Sequence, residues 1–264
     1  MKLAIVFPGQ GSQAVGMLNA WGDNPEIKRT LSEASSALGE DVAKLIAEGP
    51  AESLSLTTNT QPVMLTAGVA CYRAWIASGG PVPAVMAGHS LGEYSALVAA
   101  GVIRFEDAVP MVRFRAQAMQ DAVPVGTGGM AAILGLDDDA VRKACSDAQV
   151  ATGEVVEAVN FNAPAQVVIA GSKGGVEKAC ELAKAAGAKR ALPLPVSAPF
   201  HSSLLKPASE KLQGYLADKS FSAPQIDVVN NVDVTVGRAF TALVGATSVD
   251  VVVVTSDSDA SYEV

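Results

Sequence analysis

The sequence predicts an α/β fold, and three observations carry the prediction. Short apolar runs alternate with stretches of helical spacing, proline and glycine punctuate the boundaries, and one segment repeats the strand–helix–strand pattern twice in about seventy residues. The chain has 264 residues, 49% of them hydrophobic and 17% charged. That length buries a sizeable core and suggests one large domain or a domain carrying an insertion.

The elements follow in order. Leu3 to Phe7 reads as a buried strand ended by Pro8-Gly9. Ile27 to Ile46 carries helical spacing with an interruption near Gly39-Glu40-Asp41. Gln61-Pro62 is expected to open a second helix, since proline suits a first turn, and Val63 through Trp75 is apolar on most sides, as in a buried helix. Pro83 to Ala87 reads as a strand and Leu91 to Ala100 as a helix ended by Gly101. These elements predict a mainly parallel sheet.

Residues 125–196 read differently. Gly126-Thr127-Gly128-Gly129 is a hinge-like break. Strand 130–134, helix 137–148, strand 154–160, a tight turn at Asn162-Ala163-Pro164, strand 166–170, helix 175–186 and strand 188–194 follow. The order β-α-β-β-α-β is the ferredoxin-like motif, read as a subdomain inserted between residues 1–124 and 197–264. The chain is expected to re-enter the large domain near Ser197.

Charge and cysteines exclude several classes. A net charge of −8 argues against nucleic acid or an anionic membrane as the main partner. Cys71, Cys145 and Cys180 are widely spaced and odd in number, which suggests neither a disulfide framework nor a zinc site; no metal is expected. No run is long enough to span a membrane, and the N-terminal apolar run is too short for a signal peptide. A cytoplasmic enzyme is expected.

The chemistry centres on Gly88-His89-Ser90-Leu91-Gly92. A strand ends at Gly88 and a helix starts at Leu91, the setting of a nucleophile elbow and of an α/β-hydrolase-like core. The bland alternative is a serine N-cap between turn glycines. The N–H of Leu91 at the helix start is placed to hold an oxyanion. A serine nucleophile needs a base, and the chain has two histidines. His89 neighbours the serine on a sharp turn and should diverge from it, which leaves His201, on a loop, as the candidate. No acid identifies itself as a third member. Gly9-x-Gly11-x-x-Ala14 imitates a dinucleotide fingerprint, but Glu33 at the required distance lies in helical surroundings. The same loop could instead present the backbone N–H of Gln10 to a reaction centre.

Phe7-Pro8-Gly9-Gln10-Gly11-Ser12-Gln13, Thr60-Gln61-Pro62, Gly88-His89-Ser90-Leu91-Gly92-Glu93-Tyr94, Arg115 with Met119-Gln120, Asn160-Phe161-Asn162 and Phe200-His201 together resemble the malonyl-CoA:acyl-carrier-protein transacylases of fatty-acid synthesis. The match runs in order from residue 1 to about 235. The resemblance implies Ser90 as nucleophile, His201 as base and later acid, the N–H groups of Gln10 and Leu91 as oxyanion hole, and Arg115 as the cation that grips the malonyl carboxylate. It implies Gln61, Asn160 and Phe200 as pocket-lining residues, with Phe200 leaving little room for an α-methyl branch. It further implies malonyl-CoA and acyl carrier protein as partners, ping-pong exchange through an acyl-serine, and coenzyme A thioester as substrate with no bound cofactor. Lys184, Lys189, Arg190 and Lys206 are candidate contacts for an acidic carrier protein.

Two departures carry expectations of their own. Pro110 should make the helix bearing Arg115 start late or kink. Beyond Asn230-Asn231-Val232-Asp233-Val234 the resemblance stops: residues 236–264 hold no Gln, Pro or Trp, where the family continues with a further helix, a Pro-Val-x-Trp segment and a glutamine supporting the histidine loop. A strand-like run, Val249 to Val254, and an acidic tail, Ser256 to Val264, stand there instead, and truncation or a shifted reading frame is expected. Besides transfer, a serine hydrolase and a non-catalytic carrier-binding module fit the sequence.

Overall fold

The computed structural model describes residues 3–196 and 198–231 and two short strand segments, 236–237 and 251–252. Ser197, most of the valine run, the acidic tail and Val232 to Val234 lie outside the described residues.

Two mixed sheets form the α/β architecture. In the first, β1 (Ala4–Phe7), β2 (Val85–Gly88), β7 (Asp227–Val229) and β8 (Val236–Gly237) lie in that order. β1 and β7 flank β2 in parallel, and β8 runs antiparallel to β7. The second has the order β6 (Arg190–Pro193), β3 (Gly128–Leu134), β5 (Gln166–Ser172), β4 (Val156–Ala163) and β9 (Val251–Val252). Its pairs are antiparallel except β4 with β9, where Asn160 and Phe161 face Val251 and Val252. Two residues of the expected valine run thus pair along the edge of β4.

The helices around the first sheet begin with α1 (Pro25–Leu38) and α2 (Val42–Glu48), separated by Gly39 in the left-handed conformation, as the interruption there predicts. Asn24 and Asp41 cap them, each side chain accepting from first-turn N–H groups. A single turn, α3 (Ala51–Leu54), leads into α4 (Thr57–Ala77).

Helix α4 corrects one expectation. It begins four residues before Gln61, so Pro62 sits inside the helix and not in its first turn. Thr60 shows how the chain starts early: its hydroxyl donates to the carbonyls of Leu54 and Leu56. Val63, Leu65, Val69 and Ala70 are almost fully buried, as the all-round apolar pattern requires. Each such Val or Leu contributes roughly 1.5–3 kcal/mol from burial.

Pro110 does not delay its helix. Helix α6 (Phe105–Ala122) is already under way there and runs through it. The proline deprives the carbonyl of Glu106 of its partner, and Glu106 is exposed, so water can replace the lost bond.

Residues 128–193 carry α7 (Asp138–Thr152) and α8 (Lys173–Ala185) on the second sheet, with their own core of Ile133, Val141, Val156, Val167, Ile169 and Val176. A further cluster joins Met119 of α6, Met130 of β3 and Val168 of β5 to Phe200 and Leu205. The chain from 198 to 205 therefore lies where the first unit meets the second sheet. It leads into α9 (Lys206–Ala217), which packs on α6 through stacked rings of Phe114 and Tyr215, 4.2 Å between centroids.

Candidate active site

The turn from β2 into α5 (Leu91–Ala99) is the sharpest point in the first sheet. Ser90 adopts φ 51° and ψ −106°, a conformation that costs a residue with a Cβ about 1–3 kcal/mol. Its two glycines are sterically required. A Cβ on Gly88 would lie 1.9 Å from the carbonyl carbon of Gly92, and one on Gly92 would lie 2.1 Å from the Phe7 oxygen. The helix start, the end of β2 and the end of β1 thus touch backbone to backbone, and Gly-x-Ser-x-Gly is what permits it. The Phe7 carbonyl also accepts the N–H of His89 at 3.0 Å.

The loop after β1 closes over this turn. A Cβ on Gly9 would meet the His89 carbonyl oxygen at 2.6 Å. The loop leads to a short 3-10 turn at Asn19–Trp21, not directly into a helix, so the fingerprint Gly9-x-Gly11-x-x-Ala14 lacks its helix. Gln10 is anchored by its side chain, Nε2 donating to Thr57 Oγ1 at 3.0 Å. Among the described residues, neither the Gln10 N–H nor the Leu91 N–H makes a hydrogen bond.

Arg115 reaches Ser90 from α6. Its Nη2 donates to Ser90 Oγ at 3.1 Å and its Nη1 to Gln61 Oε1 at 2.7 Å, with the Tyr94 ring 5.6 Å beneath the guanidinium. The side chain is buried, and burial pushes its pKa down, though an arginine stays charged. Arg113, two residues earlier and on the opposite side of the helix, pairs with Glu40 at 2.6 Å near the surface. The two arginines have opposite fates because they are about 200° apart around the helix.

The two histidines make different contacts. His89 Nε2 lies 3.1 Å from Asn162 Oδ1, its ring turned to the second sheet. His201 has φ 67°, so both the candidate nucleophile and the candidate base carry strained backbone. Its Nδ1 is buried without a hydrogen-bond partner among the described residues. Burial first, then the charge of Arg115 and the proximity of His89, push its pKa down to about 3. It is therefore a neutral imidazole at pH 7. No hydrogen bond joins it to Ser90 among the described residues, where the hydroxyl is held by Arg115.

Of the remaining expected residues, Gln61 is buried and engaged with Arg115 and with the Met119 sulfur at 3.6 Å. Asn160 is buried on β4 with its Nδ2 unpartnered among the described residues. Phe200 packs into the cluster between α6 and the second sheet.

Three polar residues beside Ser90 were quoted in the sequence motifs without a role. Asn231 Oδ1 accepts the Ser90 N–H at 2.7 Å, and its Nδ2 donates to the Gly88 carbonyl at 2.7 Å. Glu93 is buried and accepts the Asn231 N–H at 3.3 Å; burial raises its carboxyl to about 7, against the pull of that bond and of Arg115. Tyr94 lies under the guanidinium. The available signal was polar residues in otherwise apolar surroundings next to the elbow, a pattern that marks buried groups with assigned partners.

Among the described residues, no cluster of three or more His, Cys, Asp or Glu side chains could hold a metal, and no helix is long and apolar enough to cross a membrane.

The malonyl CoA-acyl carrier protein transacylase of Escherichia coli K12 is 60% identical over 234 residues, 88% of this chain and 75% of the relative. An acyl-carrier-protein S-malonyltransferase from Burkholderia pseudomallei superposes with TM-score 0.91 at 68% identity, covering 95% of this chain and 82% of that one. A malonyl-transacylase solved with a type II polyketide acyl-carrier protein gives TM-score 0.92 at 50% identity, covering 95% and 82%. The acyl transferase domain family matches residues 4–259, and the chain belongs to that family.

Proposed function

We propose that Ser90 carries a malonyl group between two thiols. The chain moves malonyl from coenzyme A to the phosphopantetheine thiol of acyl carrier protein, the activity named for relatives at 49–60% identity. The observation that carries the reading is the buried guanidinium of Arg115 hydrogen-bonded to the Ser90 hydroxyl. A hydrolase for neutral esters has no use for a buried cation there, whereas a malonyl thioester brings a free carboxylate to pair with it. Gln61 and Ser90 take two of the five guanidinium N–H groups, and the carboxylate would pair with the same cation.

In this reading the exchange has two halves. Ser90 Oγ gives its proton to neutral His201 and attacks the thioester carbonyl. The N–H groups of Gln10 and Leu91 hold the oxyanion. The C–S bond breaks, and His201 returns the proton to the departing coenzyme A thiolate. In the second half the carrier's thiol loses its proton to His201 and attacks the acyl ester, the bond from the acyl carbon to Ser90 Oγ breaks, and His201 returns the proton to that oxygen. Gln61 orients Arg115, Asn160 offers a buried amide toward the acyl chain, and Phe200 limits branching.

In this reading residues 125–196 form a ferredoxin-like subdomain inserted between 1–124 and 197–264. The strand order β6-β3-β5-β4 with two helices on the sheet supports it. The parallel trio β1-β2-β7 ending in the elbow supports an α/β-hydrolase-like core. Three unpaired cysteines suit a reducing cytoplasm.

The test is incubation with labelled malonyl-CoA, with and without carrier protein. Label that stays on the chain until the carrier removes it is the expected result. Rapid loss of label to water would replace transfer by hydrolysis, and unlabelled, folded protein would leave a non-catalytic role.

A further inference from the structure

The elbow poses a backbone problem that Asn231 solves. The parallel ladder between β2 and β7 runs in register to Ala87 and Val229 and then ends. Two further steps in the same direction place His89 opposite Asn231. In a parallel sheet the partner of a residue addresses the carbonyl before it and the N–H after it. For His89 those groups are the Gly88 carbonyl and the Ser90 N–H. Because the elbow bends away from the sheet, the side-chain carboxamide of Asn231 takes both, at 2.7 Å each. Its own N–H turns to Glu93. A carboxamide suits the task since it carries one acceptor and one donor in the arrangement of a peptide group.

We infer that Asn231 is a positioning residue for Ser90, supplying the missing rung of the sheet so that the strained Ser90 backbone is held and its hydroxyl aimed. The inference rests on the reading of Ser90 as nucleophile. One bond holds the strained residue's own N–H and the other the carbonyl two residues before it, so their loss leaves the Ser90 peptide free to relax toward an ordinary turn.

The experiment is rapid-quench measurement of acyl-Ser90 formation from labelled malonyl-CoA by the full chain and by Asn231→Ala and Asn231→Asp. Misplacement by about 1 Å can cost on the order of 100-fold in rate. Asn231→Ala should therefore lose 10- to 100-fold in kcat for acylation with KM nearly unchanged, since the residue does not touch substrate. Asn231→Asp keeps the acceptor for Ser90 N–H but can donate to the Gly88 carbonyl only when protonated. Its acylation rate should approach that of the parent at acid pH and fall as pH rises, a titration the parent lacks. Glu93 opposes ionisation of the new carboxyl and Arg115 favours it, with His89 and His201 facing the same turn; the comparison is therefore made against the parent's own profile. Should Asn231→Ala fail to fold, the pH profile of Asn231→Asp decides alone. Parent-like rate in Asn231→Ala, or a parent-like profile in Asn231→Asp, would overturn the inference. Absence of acyl-Ser90 in the parent would overturn the nucleophile reading and this inference with it, a pattern distinct from a labelled parent with unaffected variants.

Discussion

Arg115 Nη2 donates to Ser90 Oγ at 3.1 Å while Nη1 is anchored on Gln61 Oε1 at 2.7 Å. One buried cation thus sits against the candidate nucleophile, and its own orientation is fixed from behind. Selectivity follows from the same contact, because an acyl group without a carboxylate leaves the guanidinium without an anionic partner.

Arg115→Ala should therefore lower kcat/KM for malonyl-CoA by about 100-fold or more, in line with roughly 3 kcal/mol for a charge-assisted pair in a buried site. Acetyl-CoA, which never used that pair, should lose much less. Competition between the two thioesters for Ser90 measures the ratio. An unchanged ratio contradicts the assignment.

The pH dependence of acylation should reflect a histidine that resists protonation. His201 is held down to about 3 by burial, Arg115 and His89. The acid limb of kcat/KM for acyl-enzyme formation is then expected below about pH 5, whereas an ordinary imidazole would place it near 6.5. A limb centred near 6.5 would show that the imidazole is solvated when it reacts.

Glu93 makes a stability prediction with a defined sign. Its carboxyl is raised from 4.5 to about 7, chiefly by burial. Below about pH 4.5 it is neutral both folded and unfolded. Between there and 7 only the unfolded chain releases the proton, so the stability of the neutral buried form fades as pH rises through 7. Glu93→Gln cannot titrate. The difference in unfolding free energy between variant and parent should shift in the variant's favour by roughly 2 kcal/mol from pH 4.5 to 8, read from denaturant melts. A pH-independent difference would contradict a buried, proton-retaining Glu93.

Lys189 and Arg190 are exposed at the start of β6. Charge reversal at both should weaken transfer to an acidic carrier protein several-fold and leave acylation by malonyl-CoA intact, with the effect shrinking at high salt. Equal loss in both half-reactions rejects this patch.

The alternation of elements and the elbow were legible in the sequence because each has a local cause. Gly88 and Gly92 are where the backbone contacts demand them, Gly39 and Gly101 end helices in the left-handed conformation, and Ser90 stands between strand and helix. Pro62 was expected in a first turn and Pro110 to delay or kink its helix, yet both stand inside helices; the cost of an interior proline depends on whether the freed carbonyl can be satisfied, which the sequence does not display. The partners of Ser90 were less legible still. Asn231 lies 141 residues further along the chain, and only the register of β2 with β7 brings its carboxamide to the turn. Gln61's carboxamide oxygen is turned to Arg115 on another helix, a pairing that no local pattern displays. Glu93 and Tyr94 come three and four residues after Ser90, but nothing local reveals that both are buried against Arg115.

The central claim is that Ser90 carries the acyl group, and peptide mass spectrometry after brief exposure to malonyl-CoA tests it most directly. The parent chain should show malonyl on the peptide containing Ser90, removed by carrier protein, and Ser90→Ala should show none. Malonyl retained by folded Ser90→Ala, or found on a different residue of the parent, would contradict the account.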